Sequence, residues 1–173
     1  MREKQQLLKT TAPSKRVLSL TDPSQKMSKS APNPSSRILI TDSPTTIAKR
    51  IKSAVTDSDR SITYDPEQRR GVANLLTILA ACEGRDSSDQ EPRTAEQVAQ
   101  ALSDEGIGGH AELKARVTEA VVERLAGIRV EYERIRQDTG YLSEVARSGA
   151  EVARGIASKT MDEVRRKIGL QAI

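Results

Sequence analysis

Residues 111–137 read AELKARVTEAVVERLAGIRVEYERIRQ, and the spacing of their apolar side chains decides the fold class. Leu113, Val117, Val121, Leu125, Ile128, Tyr132 and Ile135 recur at steps of three and four, which places them on one face of an α-helix. Charge occupies the other faces, with Glu112–Arg116 and Arg129–Glu133 at the i,i+4 spacing where opposite charges meet. Gly127 lies mid-helix and costs about 1 kcal/mol against alanine there, so the pattern predicts a close helix crossing at that point.

Working outward, the same period continues on both sides. Beyond Asp138-Thr139-Gly140, Leu142, Val145, Gly149, Val152 and Ile156 form a further stripe. A second segment follows with Met161, Val164 and Ile168, and with Asp162–Arg166 and Glu163–Lys167 as i,i+4 pairs. Upstream, Gly108-Gly109 predicts a tight turn that leaves His110 near a helix start, a structural position rather than a catalytic one. Thr94 and Gln97 have the spacing of a capping box for a short helix with Val98, Ala101 and Leu102, closed by Gly106. Gly84 to Arg93 is a polar loop. Asp65-Pro66 opens a helix whose face is Val72, Leu75, Leu76 and Leu79, running up to Cys82. Ser43-Pro44 opens another with Ile47, Ile51 and Val55 inward and Lys49, Arg50 and Lys52 on a solvated flank. Short connections between such helices predict antiparallel packing, so the last two thirds of the chain read as a helical bundle.

Composition narrows the function. The 173 residues contain no Phe and no Trp, and only Tyr64, Tyr132 and Tyr141 are aromatic, so the core is aliphatic and an aromatic platform for single-stranded RNA is excluded. Cys82 is the one cysteine and reads as a packed residue; no internal disulfide is possible. No His/Cys cluster has metal-ligand spacing, and the acids of Asp57-Ser58-Asp59 read as partners of backbone amides in a turn. No apolar run reaches the length of a membrane span. Positive charge is concentrated early, with 12 Lys/Arg against 5 Asp/Glu in residues 1–60. That polarity fits a polyanion meeting the N-terminal part.

The chemistry-bearing stretch sits inside that basic third. Val17–Leu20 and Ile38–Ile40 read as short buried strands bounded by Pro, Ser and Asp. Between them, Thr21 to Pro32 reads TDPSQKMSKSAP, two lysines three residues apart with small hydroxyls on an apparent loop. Lys26 and Lys29 are mobile point charges and Ser28 and Ser30 are hydrogen-bonding groups, a set suited to a flap closing over a polyphosphate. Ammonium groups placed where pyrophosphate departs help most in the transition state.

Lys26-Met27-Ser28-Lys29-Ser30 spells KMSKS, the second signature of class I aminoacyl-tRNA synthetases. The stretches ILITDSP (38–44), IAKRIKSAVTDSD (47–59), YDPE (64–67) and GVANLL (71–76) follow in order. Together they resemble tryptophanyl-tRNA synthetase of the bacterial and mitochondrial type, from about Leu7 to the C-terminus. One departure is Ala31, where that family often has Asp. Because the resemblance begins within the basic segment Met1 to Leu20, that segment is not read as a transit peptide.

The resemblance implies a fold that is mainly α: a C-terminal helical bundle preceded by the last strand and KMSKS loop of an incomplete Rossmann-type α/β domain. It implies three regions: 1–42 as the remnant of the catalytic domain, 43–62 as a connecting helix and turn, and 63–173 as a helical anticodon-binding domain. It implies ATP-dependent activation of tryptophan and its transfer to tRNA(Trp). ATP, with Mg as its substrate complex, would be held by Lys26, Met27, Ser28, Lys29 and Ser30. Lys26 and Lys29 would act catalytically on the pyrophosphate, while Met27 anchors the loop on apolar surface. The implied partners are tryptophan, ATP, tRNA(Trp) and a second subunit of a homodimer, without a membrane. The mitochondrial matrix is the implied compartment, with the bacterial cytoplasm as the alternative. The family's upstream His-x-Gly-His needs two histidines and this sequence holds one, so the chain is expected to be the C-terminal portion of the enzyme and inactive alone. Two other readings stand beside this: a non-catalytic helical tRNA-binding module, and a plain helical interaction protein.

Overall fold

Helix-forming runs punctuated by Ser, Thr, Asp and Gly dictate most of the architecture. The computed structural model describes residues 16–83 and 93–170. The expectations placed on Met1 to Pro13 and on residues 84–92 lie outside the described residues. Among the described residues five α-helices follow one short 3₁₀ turn at Pro34–Ser36: α1 (Pro44–Lys52), α2 (Arg70–Glu83), α3 (Ala95–Asp104), α4 (His110–Gln137) and α5 (Thr139–Lys167). The fold is mainly α.

Local chemistry sets the helix ends. Ser43 Oγ accepts from the Thr46 amide with Pro44 at the first helical position. Thr94 and Gln97 form a reciprocal capping box. Gly106, at φ 73°, lets the chain leave α3 while the Ile107 amide donates to the Leu102 carbonyl at 2.9 Å. Asp65 caps a separate turn, accepting from the amides of Glu67 and Gln68, and α2 begins only at Arg70.

The chain divides into two compact units, residues 1–128 and 129–173. In the first, α2 and α3 pack together. Leu20, Ile47, Ile51, Leu75, Leu76, Leu79, Leu113 and Val117 are almost fully buried. Val55, placed on the inward stripe of α1 by its spacing, is 48% exposed; α1 ends at Lys52, and Ala54 is buried instead. Gly127 also departs from expectation, because a Cβ there would meet nothing within 4 Å. The close approach occurs at Gly71, where a Cβ would fall on the Val55 carbonyl.

In the second unit no described residue is buried. α5 is one helix of 29 residues rather than two segments, and Asp138 caps it by accepting from the Tyr141 amide at 2.8 Å. Leu142, Val145, Val152, Ile156 and Ile168 are exposed. Lys167 pairs with Glu163 as its spacing suggests, whereas Asp162 pairs with Arg165. In α4, Glu112 accepts from the Gly108 amide, and Arg116 faces Glu83 and Glu119.

Among the described residues there is no strand. The run Val17–Leu20 makes one antiparallel bridge, Leu18 to Lys26, and Ile38–Ile40 forms a turn in which the Asp42 carboxylate accepts from the Leu39 amide. The apolar pattern of a strand is present, but strand groups to pair with it are not. Its backbone polar groups still require partners, and they find them in loops and in one side chain.

Candidate functional site

The lysine loop rises from that run. Ser19 N–H donates to the Gln25 carbonyl at 2.9 Å and Met27 N–H to the Val17 carbonyl at 3.0 Å, closing a stem with Leu18 opposite Lys26. The turn between is set by two side chains. Buried Ser19 accepts at Oγ from the amides of Thr21 and Asp22, and Asp22 accepts from both the amide and the hydroxyl of Ser24. The Ser24 hydroxyl and amide hold the Asp22 carboxyl below its ordinary range.

On the other edge of the stem, Leu20 N–H donates to the Ser36 carbonyl and Leu20 C=O accepts from Val55. Leu18 is satisfied by Asn74 of α2: Leu18 N–H donates to Asn74 Oδ1 at 2.9 Å, and Asn74 Nδ2 donates to Leu18 C=O at 3.0 Å. The sequence offered no signal for this: by helical period Asn74 falls opposite the stripe of Val72, Leu75, Leu76 and Leu79.

At the end of the stem, Met27 packs against the aliphatic core, half-buried. Lys26, Lys29 and Ser30 are exposed, and neither ammonium has a hydrogen-bond or ion-pair partner among the described residues. Ser28 Oγ and Ser30 Oγ lie 3.2 Å apart. Ala31 has a backbone role: its N–H donates to Ser28 C=O at 3.3 Å and its C=O accepts from Arg37 Nη1 at 2.7 Å. Arg37 in turn has its own carbonyl held by Arg50 Nη1 at 2.9 Å, and Arg50 also pairs with the Asp42 carboxylate. Arg50, read as part of a solvated flank, therefore braces the loop's exit from behind.

Asp57 and Asp59 do accept from backbone amides, of Asp59 and Ser61, as the turn reading required. Both also face the guanidinium of buried Arg69, which donates to Asp57, Ser61, Thr63 and the Asp59 carbonyl. Among the described residues no three His, Cys, Asp or Glu side chains converge as metal ligands. His110 begins α4 with Nε2 3.8 Å from Asp57 Oδ1. A cleft of about 820 Å³ between α1 and α4 is lined by Ala48, Ala111, Ala115 and Val122 together with Lys52 and Lys114. Lys114 caps α1, donating to the carbonyls of Ala54 at 2.7 Å and Lys52 at 3.3 Å, and its burial pushes its pKa down. Cys82 is half-buried on α2, and burial pushes its thiol pKa up, which suits a packed residue.

The model of the family tRNA synthetases class I (W and Y) matches residues 2–126. This chain belongs to that family. Tryptophan–tRNA ligase 1 of Streptomyces coelicolor is 41% identical over 155 residues, which cover 90% of this chain and 42% of that protein. Tryptophan–tRNA ligase of Halalkalibacterium halodurans is 39% identical over 155 residues, covering 90% and 43%. The crystal structure of tryptophanyl-tRNA synthetase from Mycoplasma pneumoniae superimposes with a TM-score of 0.66 at 27% identity, covering 90% of this chain and 44% of that one. This class I synthetase chain thus spans less than half the length of the relatives it matches. Among its described residues no helix is long and apolar enough to cross a membrane.

Proposed function

We propose that this chain provides the pyrophosphate-stabilising loop and the tRNA-contacting helices of a tryptophan–tRNA ligase, as the C-terminal part of that enzyme. One observation carries the reading: a KMSKS loop on a braced stem presents both lysine ammonium groups to solvent with no partner among the described residues. Charges held on a hydrogen-bonded stem and left unpaired are available to an incoming anion. Tryptophan's carboxylate attacks the α-phosphorus of ATP, the bond to the β-phosphate bridging oxygen breaks, and pyrophosphate departs carrying the bond's electrons. Lys26 and Lys29 neutralise that departing group, and Ser28 and Ser30 donate hydrogen bonds to its oxygens. Mg arrives with ATP as part of the substrate complex.

The bond-making half of the site, including the His-x-Gly-His signature, would come from residues other than these 173, since His110 is the one histidine here. The chain alone is then expected to bind phosphate and tRNA without forming aminoacyl-adenylate, whereas the full-length enzyme is read as a homodimer of the mitochondrial matrix, with the bacterial cytoplasm as the alternative. That single histidine also favours a second reading, a helical tRNA-binding module without catalysis.

The test is a titration of the chain with inorganic pyrophosphate, beside an ATP–pyrophosphate exchange assay with tryptophan and a salt-dependent tRNA-binding assay. The first reading expects pyrophosphate binding that Lys26→Ala and Lys29→Ala each weaken by about tenfold. Binding of tRNA(Trp) with no pyrophosphate binding supports the module; binding of neither ligand overturns both.

A further inference from the structure

A buried amide is costly unless both of its polar ends are paired. Asn74 lies in α2 among Val72, Leu75, Leu76 and Leu79 and is 5% exposed. Its Oδ1 and Nδ2 are both used, and both on one residue 56 positions upstream, Leu18. Leu18 is the bridge partner of Lys26.

The geometry of that bridge explains the pairing. The stem bonds run Ser19 to Gln25 and Met27 to Val17, flanking the Leu18–Lys26 pair. In an antiparallel ladder a residue at such a wide position turns its own N–H and C=O to the opposite edge. There a neighbouring strand would ordinarily meet them, and none does among the described residues; the Asn74 carboxamide supplies one donor and one acceptor in its place. Leu20, two residues on and on the same edge, is held by Ser36 and Val55.

We infer that Asn74 is a positioning residue for the lysine loop: from α2 it replaces one residue of a missing strand and so fixes the stem residue opposite Lys26. The inference rests on the phosphate reading of the loop, because fixing Leu18 matters to chemistry through where Lys26 and Lys29 stand. It also gives α2 a direct link to the loop, independent of the Arg37–Arg50 brace at the loop's other end.

The experiment measures amide hydrogen exchange in the 173-residue chain together with pyrophosphate affinity. Asn74→Leu keeps the side-chain volume and removes both hydrogen bonds. The expected result is that the amides of Leu18, Ser19 and Met27 exchange about tenfold faster, while those of Leu79, Val98 and Val117 keep the wild-type rate. Pyrophosphate affinity falls by a similar factor. Unchanged exchange at Leu18, Ser19 and Met27 overturns the inference, and so does equal acceleration at all six amides, which marks a purely structural residue.

Asn74→Asp gives a second reading should the leucine variant fail to fold. Its ionised carboxylate faces the Leu18 carbonyl near neutral pH, and protonation restores a donor. Its stem exchange, taken as a ratio to wild type at the same pH, is expected to fall towards one on acidification; a ratio independent of pH overturns the inference. A wild-type chain that ignores pyrophosphate, yet whose stem amides respond to Asn74→Leu as described, overturns the phosphate reading while upholding Asn74 as the residue that fixes the stem.

Discussion

Arg69 grips Asp57 with two parallel hydrogen bonds, Nε to Oδ2 at 3.0 Å and Nη2 to Oδ1 at 2.8 Å. The remaining guanidinium nitrogen, Nη1, reaches Ser61 and Thr63, and Nη2 also reaches the carbonyl of Asp59. A single buried cation therefore organises the whole turn from Asp57 to Thr63, between α1 and α2. Planar, fork-shaped donors suit that task where a lysine would not.

The pair makes stability depend on acid. Hydrogen bonding from Arg69, followed by its charge, holds the Asp57 carboxyl below the usual range, and Ser61 does the same for Asp59. A carboxyl whose folded pKa is depressed binds fewer protons folded than unfolded, so its contribution is present above the unfolded value of about 4 and is lost as pH falls through the folded one. Urea midpoints should fall on acidification below about pH 4. Arg69→Met should lower stability at pH 7 by about 2 kcal/mol and flatten that acid limb. An acid limb as steep in the variant as in wild type would contradict the assignment.

Lys29 tests the chemistry rather than the fold. It is exposed and unpaired among the described residues, so Lys29→Ala should leave the urea midpoint of the chain within about 0.5 kcal/mol of wild type. In an active enzyme assembled around this chain, the same change should slow adenylate formation about a hundredfold while changing tryptophan affinity little, because the charge on pyrophosphate develops in the transition state. Pre-steady-state formation of the adenylate separates the two quantities. Equal losses in rate and in tryptophan binding would remove Lys29 from the role.

Two glycines should respond with opposite sign. A Cβ at Gly71 would strike the Val55 carbonyl, whose residue also donates its N–H to Leu20 beside the stem. Gly71→Ala should therefore destabilise by about 3 kcal/mol and loosen the loop. Gly127 faces open space within α4, and Gly127→Ala should stabilise by up to about 1 kcal/mol. Thermal midpoints of the two variants, run side by side, check the pair.

These contrasts show which features the sequence carried openly. Ser43, Thr94 with Gln97, and Gly106 declared helix ends because capping is local, involving residues at most five apart. The aliphatic stripes declared their helices for the same reason. The KMSKS run was legible as composition, and the ordered motifs around it pointed to the family. Its mounting was not legible, since Asn74 and Val55 meet the stem from tens of residues away. Arg50 read as solvated charge, and Arg69 carried no signal at all, because periodicity cannot tell a wet guanidinium from one enclosed by carbonyls. Val17–Leu20 has the pattern of a strand and is instead held by loops, one turn and one amide.

Burial along α4 and α5 supplies a last comparison. Apolar residues recur at helical spacing in both helices, yet full burial ends at Val121, and Val152 is 64% exposed. Val117 is fully enclosed by the aliphatic core of the first unit, so Val117→Ala should cost about 2 kcal/mol, the transfer loss plus an unfilled cavity. Val152→Ala removes side-chain atoms that already face water and should shift stability by no more than about 0.5 kcal/mol in the isolated chain. Urea unfolding followed by far-ultraviolet circular dichroism distinguishes them. A loss at Val152 as large as that at Val117 would mean that the face of α5 is covered in solution, and sedimentation of the chain at the same concentration would then show whether a second copy covers it.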